Sequence, residues 1–221
     1  VIVTIHQPNF APWTGYFDKM ARSDVFVLLD TVPFTKGGYQ NRVRIKGPNG
    51  PQWLTVPVIT KGRLGQPTNE VETNEARPWR GDHVKTLRTL YGKAGNVSEA
   101  IELLEAVYAS PSTNLAELCI ALITRFHARY GLGTRLVRAS ELSARGSSSQ
   151  LLADIVAELG GDVYLSGPSG RNYLDRSVFD RLGIAVEYHS FTPTPYPQVG
   201  ADFVGGLSML DHLANGAPVW W

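Results

Sequence analysis

Apolar and polar positions follow two periods along this chain, and their succession outlines an α/β fold. Val1 to Thr4 is a short β-branched run, as expected of a buried strand. From Trp13 to Arg22 the apolar residues fall at Trp13, Tyr16, Phe17, Met20 and Ala21, which places them on one face of a helix. Val25 to Leu29 is a second buried strand, ending at Asp30. Strand, helix and strand in so short a space form a βαβ unit, which requires parallel pairing and puts Asp30 on the same sheet edge as His6.

The period then changes. Asn41 to Lys46 and Trp53 to Val58 alternate on either side of a Gly47 to Pro51 turn, predicting an antiparallel hairpin, and the Gly-, Asn- and Pro-rich stretch from Thr60 to Pro78 reads as a long loop. Helical spacing follows over 79–92, 97–108 and 113–130, with Ser98, Ser112 and Asn114 as N-terminal caps. Strands near 135–139, 163–167 and 184–188 alternate with helices near 147–159, 175–182 and 206–215. The predicted architecture is one three-layer α/β domain over residues 1–221 with a mostly parallel sheet. It carries a hairpin and loop excursion near 36–78 and a helical block near 79–130.

Composition narrows the function classes. A net charge of +1 leaves no extended nucleic-acid surface, and no stretch approaches the length of a membrane span, so the expectation is a cytoplasmic protein without a membrane. Cys119 is the single cysteine and sits in an apolar helical run, which marks it as a core thiol. The histidines show no metal-ligand spacing, so no metal ligand is assigned.

Three clusters carry candidate chemistry. His6, Gln7 and Asn9 follow the first strand, where open parallel sheets place their ligands, and Trp13 and Tyr16 stand just beyond. Lys36 and Arg42 flank the Gly37-Gly38 pair and Asn41, a combination suited to holding a phosphate or carboxylate. Ser166 to Tyr173 contains a Gly167-Pro168-Ser169-Gly170 loop whose N–H groups and hydroxyls suit an anion, although it matches neither a P-loop nor a dinucleotide fingerprint. His83 lies on a helix after the long loop, where it is a candidate to close over a site. The Val219 to Trp221 tail offers either an oligomer contact or packing on the domain itself.

With these clusters the chain resembles the WbqC-like family, bacterial proteins often encoded beside sugar or natural-product biosynthesis enzymes. The resemblance rests on His6 to Phe10, Pro12-Trp13, Gly15 to Lys19, Phe34 to Lys46, Trp53 to Val58, Tyr164 to Gly167, Ser169-Gly170, Tyr173 to Asp175, Tyr196 to Gln198 and Leu207 to Asp211. Pro33 departs from the glutamine that members usually carry there. The resemblance implies aminoacyl, particularly glycyl, transfer onto an amino sugar. A more distant likeness links Phe10 to Tyr16 with the signature of HUP-type nucleotidyltransferases, with Trp13 and Tyr16 standing where that signature has histidines.

The leading expectation is therefore a biosynthetic acyl or aminoacyl transferase that forms an amide on a small amine. His6 would be the general base, oriented by Asp30 or Asp175, while Gln7, Asn9 and Asn41 donate to a developing oxyanion. Lys36 and Arg42 would hold an anionic group, Trp13, Tyr16 and Tyr173 would wall the pocket, and Ser166 or Ser169 would be the alternative nucleophile. A small molecule, a carrier protein or a charged tRNA are the donor classes, and no cofactor is assigned. The alternatives are a HUP-like enzyme that uses ATP and magnesium for activation, and a non-catalytic small-molecule or partner-binding protein.

Overall fold

Five short strands of the computed structural model, which describes residues 1–200, 202–219 and 221, form one parallel sheet. They are β1 (Ile2–His6), β2 (Val25–Leu28), β5 (Arg135–Arg138), β6 (Val163–Ser166) and β7 (Ala185–Tyr188). Their order across the sheet is β5-β2-β1-β6-β7. The chain thus builds outward from β1 in one direction and then returns to the other side of it, leaving a topological switch point between β1 and β6. The register pairs His6 with Leu28 and Val3 with Tyr164. β1 runs two residues further than the predicted strand, so His6 is the last residue of the strand rather than part of a turn after it.

Side-chain alternation gives the sheet two faces. Val3, Ile5, Val25, Val27, Tyr164 and Val186 share a core with Leu151, Leu152, Ile155 and Val156 of α5 (Ser148–Glu158) and with Val178 and Phe179 of α6 (Ser177–Asp180). Phe26 has its ring 5.0 Å from that of Tyr16 on α1 (Thr14–Ala21). Helices on both faces make the three layers predicted from the pattern. This compact unit comprises residues 1–7, 16–32 and 132–192.

A second compact unit comprises residues 8–15, 33–131 and 193–221. Its hairpin joins β3 (Arg42–Gly47) to β4 (Gly50–Thr55), so the second strand begins three residues earlier than its apolar alternation suggests. The reason is the turn: Gly50, at φ +108°, closes it directly, and Gly47 pairs with Gly50. Helices α2 (Trp79–Tyr91), α3 (Val97–Tyr108), α4 (Leu115–Arg129) and α7 (Met209–Ala214) complete the unit. Asn114 caps α4 as predicted, its side chain accepting from Glu117 N at 3.0 Å. Ser98 instead lies inside α3, and Ser112 accepts from Asn114 N at 3.2 Å. Among the described residues no helix is long and apolar enough to cross a membrane. Trp220, half of the tryptophan pair proposed as an oligomer contact, lies outside them.

The two family motifs nearest the C-terminus meet in this second unit. Asp211, fully buried, accepts hydrogen bonds from Tyr91 at 2.7 Å, Tyr196 at 2.5 Å and Gln198 at 3.0 Å. Burial raises its carboxyl above the usual range, against the pull of those donors. Ser208 caps α7 through Leu210 N and donates to Ala11 O at 2.7 Å. Both motifs are thereby accounted for as tertiary staples.

Candidate functional site

A cavity of about 430 Å³ opens in the first unit at the carboxyl end of the sheet, on the switch point between β1 and β6. Parallel α/β sheets bind ligands at that place, because the strands on either side diverge into different crossovers and leave a crevice. Its polar lining is His6, Gln7, Lys19, Ser148, Ser169 and Tyr173, set among Ile5, Leu29, Val32, Leu151, Leu152 and Tyr164.

Among the described residues the His6 ring has one hydrogen bond, from Nδ1 to Gln7 O at 3.0 Å. A carbonyl oxygen can only accept, so Nδ1 carries the proton of the neutral ring and Nε2 keeps its lone pair. The same Gln7 O accepts from the Tyr16 hydroxyl at 3.2 Å, and the Tyr16 ring stands edge-on to His6 at 4.6 Å. Tyr16 therefore packs against His6 and does not line the cavity, contrary to the expectation from the sequence. Desolvation lowers the His6 pKa from 6.5 to about 3, and the Lys19 charge acts in the same direction.

Lys19 is the residue that sequence reasoning passed over. It is 3% exposed, and its Nζ makes a long 3.5 Å contact to Ile5 O and lies 5.9 Å from the Phe26 ring centroid. No carboxylate pairs with it among the described residues. Burial lowers its pKa from 10.5 to about 7. A signal existed: Lys19 follows Tyr16 by three residues and so shares the apolar face of α1. Its neighbour Asp18 does have partners, Arg22 at 2.8 Å and the buried His189 at 2.6 Å, a second pairing that sequence separation concealed.

The remaining expectations divide by location. Gln7, Ser169 and Tyr173 line the cavity with His6, Tyr173 being 65% exposed at its rim. Asp30 does not orient His6: its two oxygens accept from Ser140 N at 2.9 Å and Ser140 Oγ at 2.7 Å, capping the turn after β5. Asp175 likewise accepts from Ser177 N and Oγ at 3.0 and 2.7 Å. Ser166 is fully buried, lies outside the cavity lining and donates to Gly167 O at 3.1 Å. The loop after β6 folds into a 3-10 turn over Pro168–Asn172, and Gly170 N bonds to Gly167 O at 3.0 Å. At Gly170 a Cβ would fall on Ser166 Oγ, so only glycine lets this turn close. Ser148 lines the cavity with φ at +55°, a costly conformation for a non-glycine residue.

Asn9, Trp13, Lys36, Asn41 and Arg42 belong to the second unit. Asn9 is buried, and Trp13 bridges to Ser208. Asn41 donates through Nδ2 to Val56 O at 2.9 Å, holding the base of the hairpin. Arg42 donates to Gly37 O and stacks 4.1 Å over the exposed Trp53 ring, while Lys36 is exposed. His83 is a core residue of this unit, bonded through Nδ1 to Tyr108 Oη at 2.7 Å and through Nε2 to Thr55 O at 3.0 Å, so it is no lid. Cys119 is buried, its thiol pushed above the usual range.

The family profile described as the WbqC-like protein family matches residues 7–219. The chain belongs to that family. The chain is also similar to the uncharacterized protein Rv1507c of Mycobacterium tuberculosis (strain ATCC 25618 / H37Rv). The two are 34% identical over 215 residues, covering 96% of this chain and 93% of that protein. No solved structure matches the chain significantly. Membership accounts for the joint occurrence of the spaced motifs, because the match runs through the cavity residues Gln7, Lys19, Ser169 and Tyr173 as well as Asp211.

Proposed function

We propose that this protein is an acyl or aminoacyl transferase that forms an amide on a small amine, with His6 as the proton acceptor. The observation that carries the reading is His6 Nε2: an unprotonated ring nitrogen without a hydrogen-bond partner among the described residues, in a cavity at the switch point, its tautomer set by Gln7 O. The amine nitrogen attacks the acyl carbon, a C–N bond forms, and the bond from that carbon to its oxygen or sulfur leaving group breaks. The amine proton passes to Nε2 and then to the leaving atom, so no proton is left over. Gln7 lines the same cavity and is the amide donor available to the developing oxyanion.

The test presents the purified chain with amine acceptors, amino sugars among them, and with acyl donors as esters, carrier thioesters or charged tRNA, reading amide formation by mass spectrometry. Formation that falls with His6→Ala supports the reading. Full turnover by His6→Ala overturns the assigned base, and retention of a ligand without turnover points to a binding protein.

A second reading is favoured by the strand order itself, since a cavity on the switch point of such a sheet also suits a nucleotide. Lys19 would then meet a phosphate. The lining offers no carboxylate to magnesium, so the metal would be held by the nucleotide's own phosphates. Strict ATP dependence of amide formation would select this reading.

A further inference from the structure

The cavity holds a buried lysine that no carboxylate of the described residues balances. Lys19 Nζ has a long carbonyl contact and an aromatic face as neighbours, and no carboxylate of the described residues approaches it. A bare buried ammonium is costly unless it loses its proton or meets an anion, and breaking such a pair costs more than never forming it. His6, on the adjacent strand end, presents a lone pair and needs a donor. A ligand that satisfies both must carry an anionic oxygen and an N–H group. Lys19 is the single lysine or arginine in the lining, which suits a monoanion better than a phosphate.

We propose that the amine acceptor of this site is itself a carboxylate-bearing amine, an amino acid or a close analogue, with its carboxylate on Lys19 and its nitrogen on His6 Nε2. The inference rests on the transferase reading and names its acceptor class. The Lys19 charge is one reason that the His6 pKa stands as low as about 3. A carboxylate paired with Lys19 offsets that repulsion, so His6 becomes a stronger base once the acceptor is bound.

Binding then takes up a proton above neutrality. Lys19 loses its proton near pH 7 in the empty site and holds it against the carboxylate, so affinity is level below about pH 7 and falls up to about tenfold per pH unit above it. The other titratable groups lining the cavity do not interfere in that window. His6 on β1 is unprotonated throughout, and Tyr164 on β6 and Tyr173 after it are raised above the ordinary tyrosine value. On α1 itself, Asp18 is committed to Arg22 and His189.

The experiment is calorimetry of the full chain with glycine, alanine and phenylalanine against methylamine, ethylamine and phenethylamine, in buffers of different ionisation enthalpy. The expected result is binding of at least one amino acid but not its amine counterpart, with buffer-dependent proton uptake at about pH 8. Lys19→Met should lose about 10-fold to 100-fold in affinity and all proton uptake, its fold verified by circular dichroism. Equal binding of the paired amines, an undiminished Lys19→Met, or no amino acid binding at millimolar concentration would overturn the inference. The two proposals fail separately. Lys19-dependent binding without acyl transfer from any donor sinks the transferase alone. Acyl transfer onto carboxylate-free amines, indifferent to Lys19→Met, sinks the acceptor class alone.

Discussion

Two polar clusters, one in each compact unit, are built from similar chemistry and finished differently. Around Asp211 both carboxylate oxygens are occupied by Tyr91, Tyr196 and Gln198, and the Tyr91 hydroxyl also accepts from Lys46 N at 2.8 Å. Around His6 and Lys19 one ring nitrogen and one ammonium have no strong partner and face a cavity. Burial makes an unsatisfied polar group expensive, so a saturated cluster is explained by the stability of the fold. Under the proposed function, the unsaturated one is completed by a ligand. Family motifs run through both clusters, which is why motif content alone does not distinguish site from scaffold.

Mutations should separate the two. The largest effect is expected from His6→Ala, which should lower amide formation by about 10²–10⁴-fold while changing the urea midpoint little. A large loss of stability instead would move His6 into the scaffold class. Asp211→Ala should do the reverse. With two tyrosine hydroxyls left without their acceptor, while Gln198 keeps its bonds to Val204, it should cost about 3 kcal/mol or more in chemical denaturation, and Asp211→Asn should recover part of that.

Lys19 distinguishes the clusters through pH. Its folded pKa of about 7 is depressed from 10.5, so between those values the unfolded chain binds a proton that the folded chain does not, and stability rises with pH. Lys19→Met should accordingly be the more stable protein below about pH 7, by about 2–4 kcal/mol, with the advantage fading toward pH 10.5. Denaturation of both proteins across that window checks the sign, and a difference independent of pH would mean that Lys19 already has its partner. The smallest effect belongs to the exposed hairpin pair: Arg42→Ala should cost about 0.5–1 kcal/mol by loss of its stacking on Trp53, without affecting ligand binding. A larger effect on turnover than on stability would make this pair part of the site.

Much of the scaffold was legible from local rules. The spacing over 79–92, 97–108 and 113–130 anticipates helices at 79–91, 97–108 and 115–129, because one apolar face per helix leaves a 3.6-residue signature whatever it packs against. The parallel pairing of β1 with β2 follows from the βαβ spacing. Of the candidate site, His6, Gln7, Ser169 and Tyr173 were legible because they flank strand ends. Asp30, Asp175 and Ser166 flank strand ends or turns too, yet neighbouring N–H and O–H groups or a backbone carbonyl engage them, and a sequence does not display those bonds.

The sequence by itself determined the α/β class, the positions of most helices and strands and the family, all of which depend on short-range periodicity and on motif order. Tertiary structure alone decided that β6 lies beside β1 with residues 7–162 between them in the chain, and so where the switch-point cavity opens. It also decided that Asp211 meets a tyrosine 120 residues away, and that Lys19, one more polar residue on an amphipathic helix in the sequence, is buried without a counter-charge among the described residues. The physical reason is the same in each case. Whether a polar group is satisfied depends on what surrounds it in space, and its neighbours in space are mostly not its neighbours in the chain.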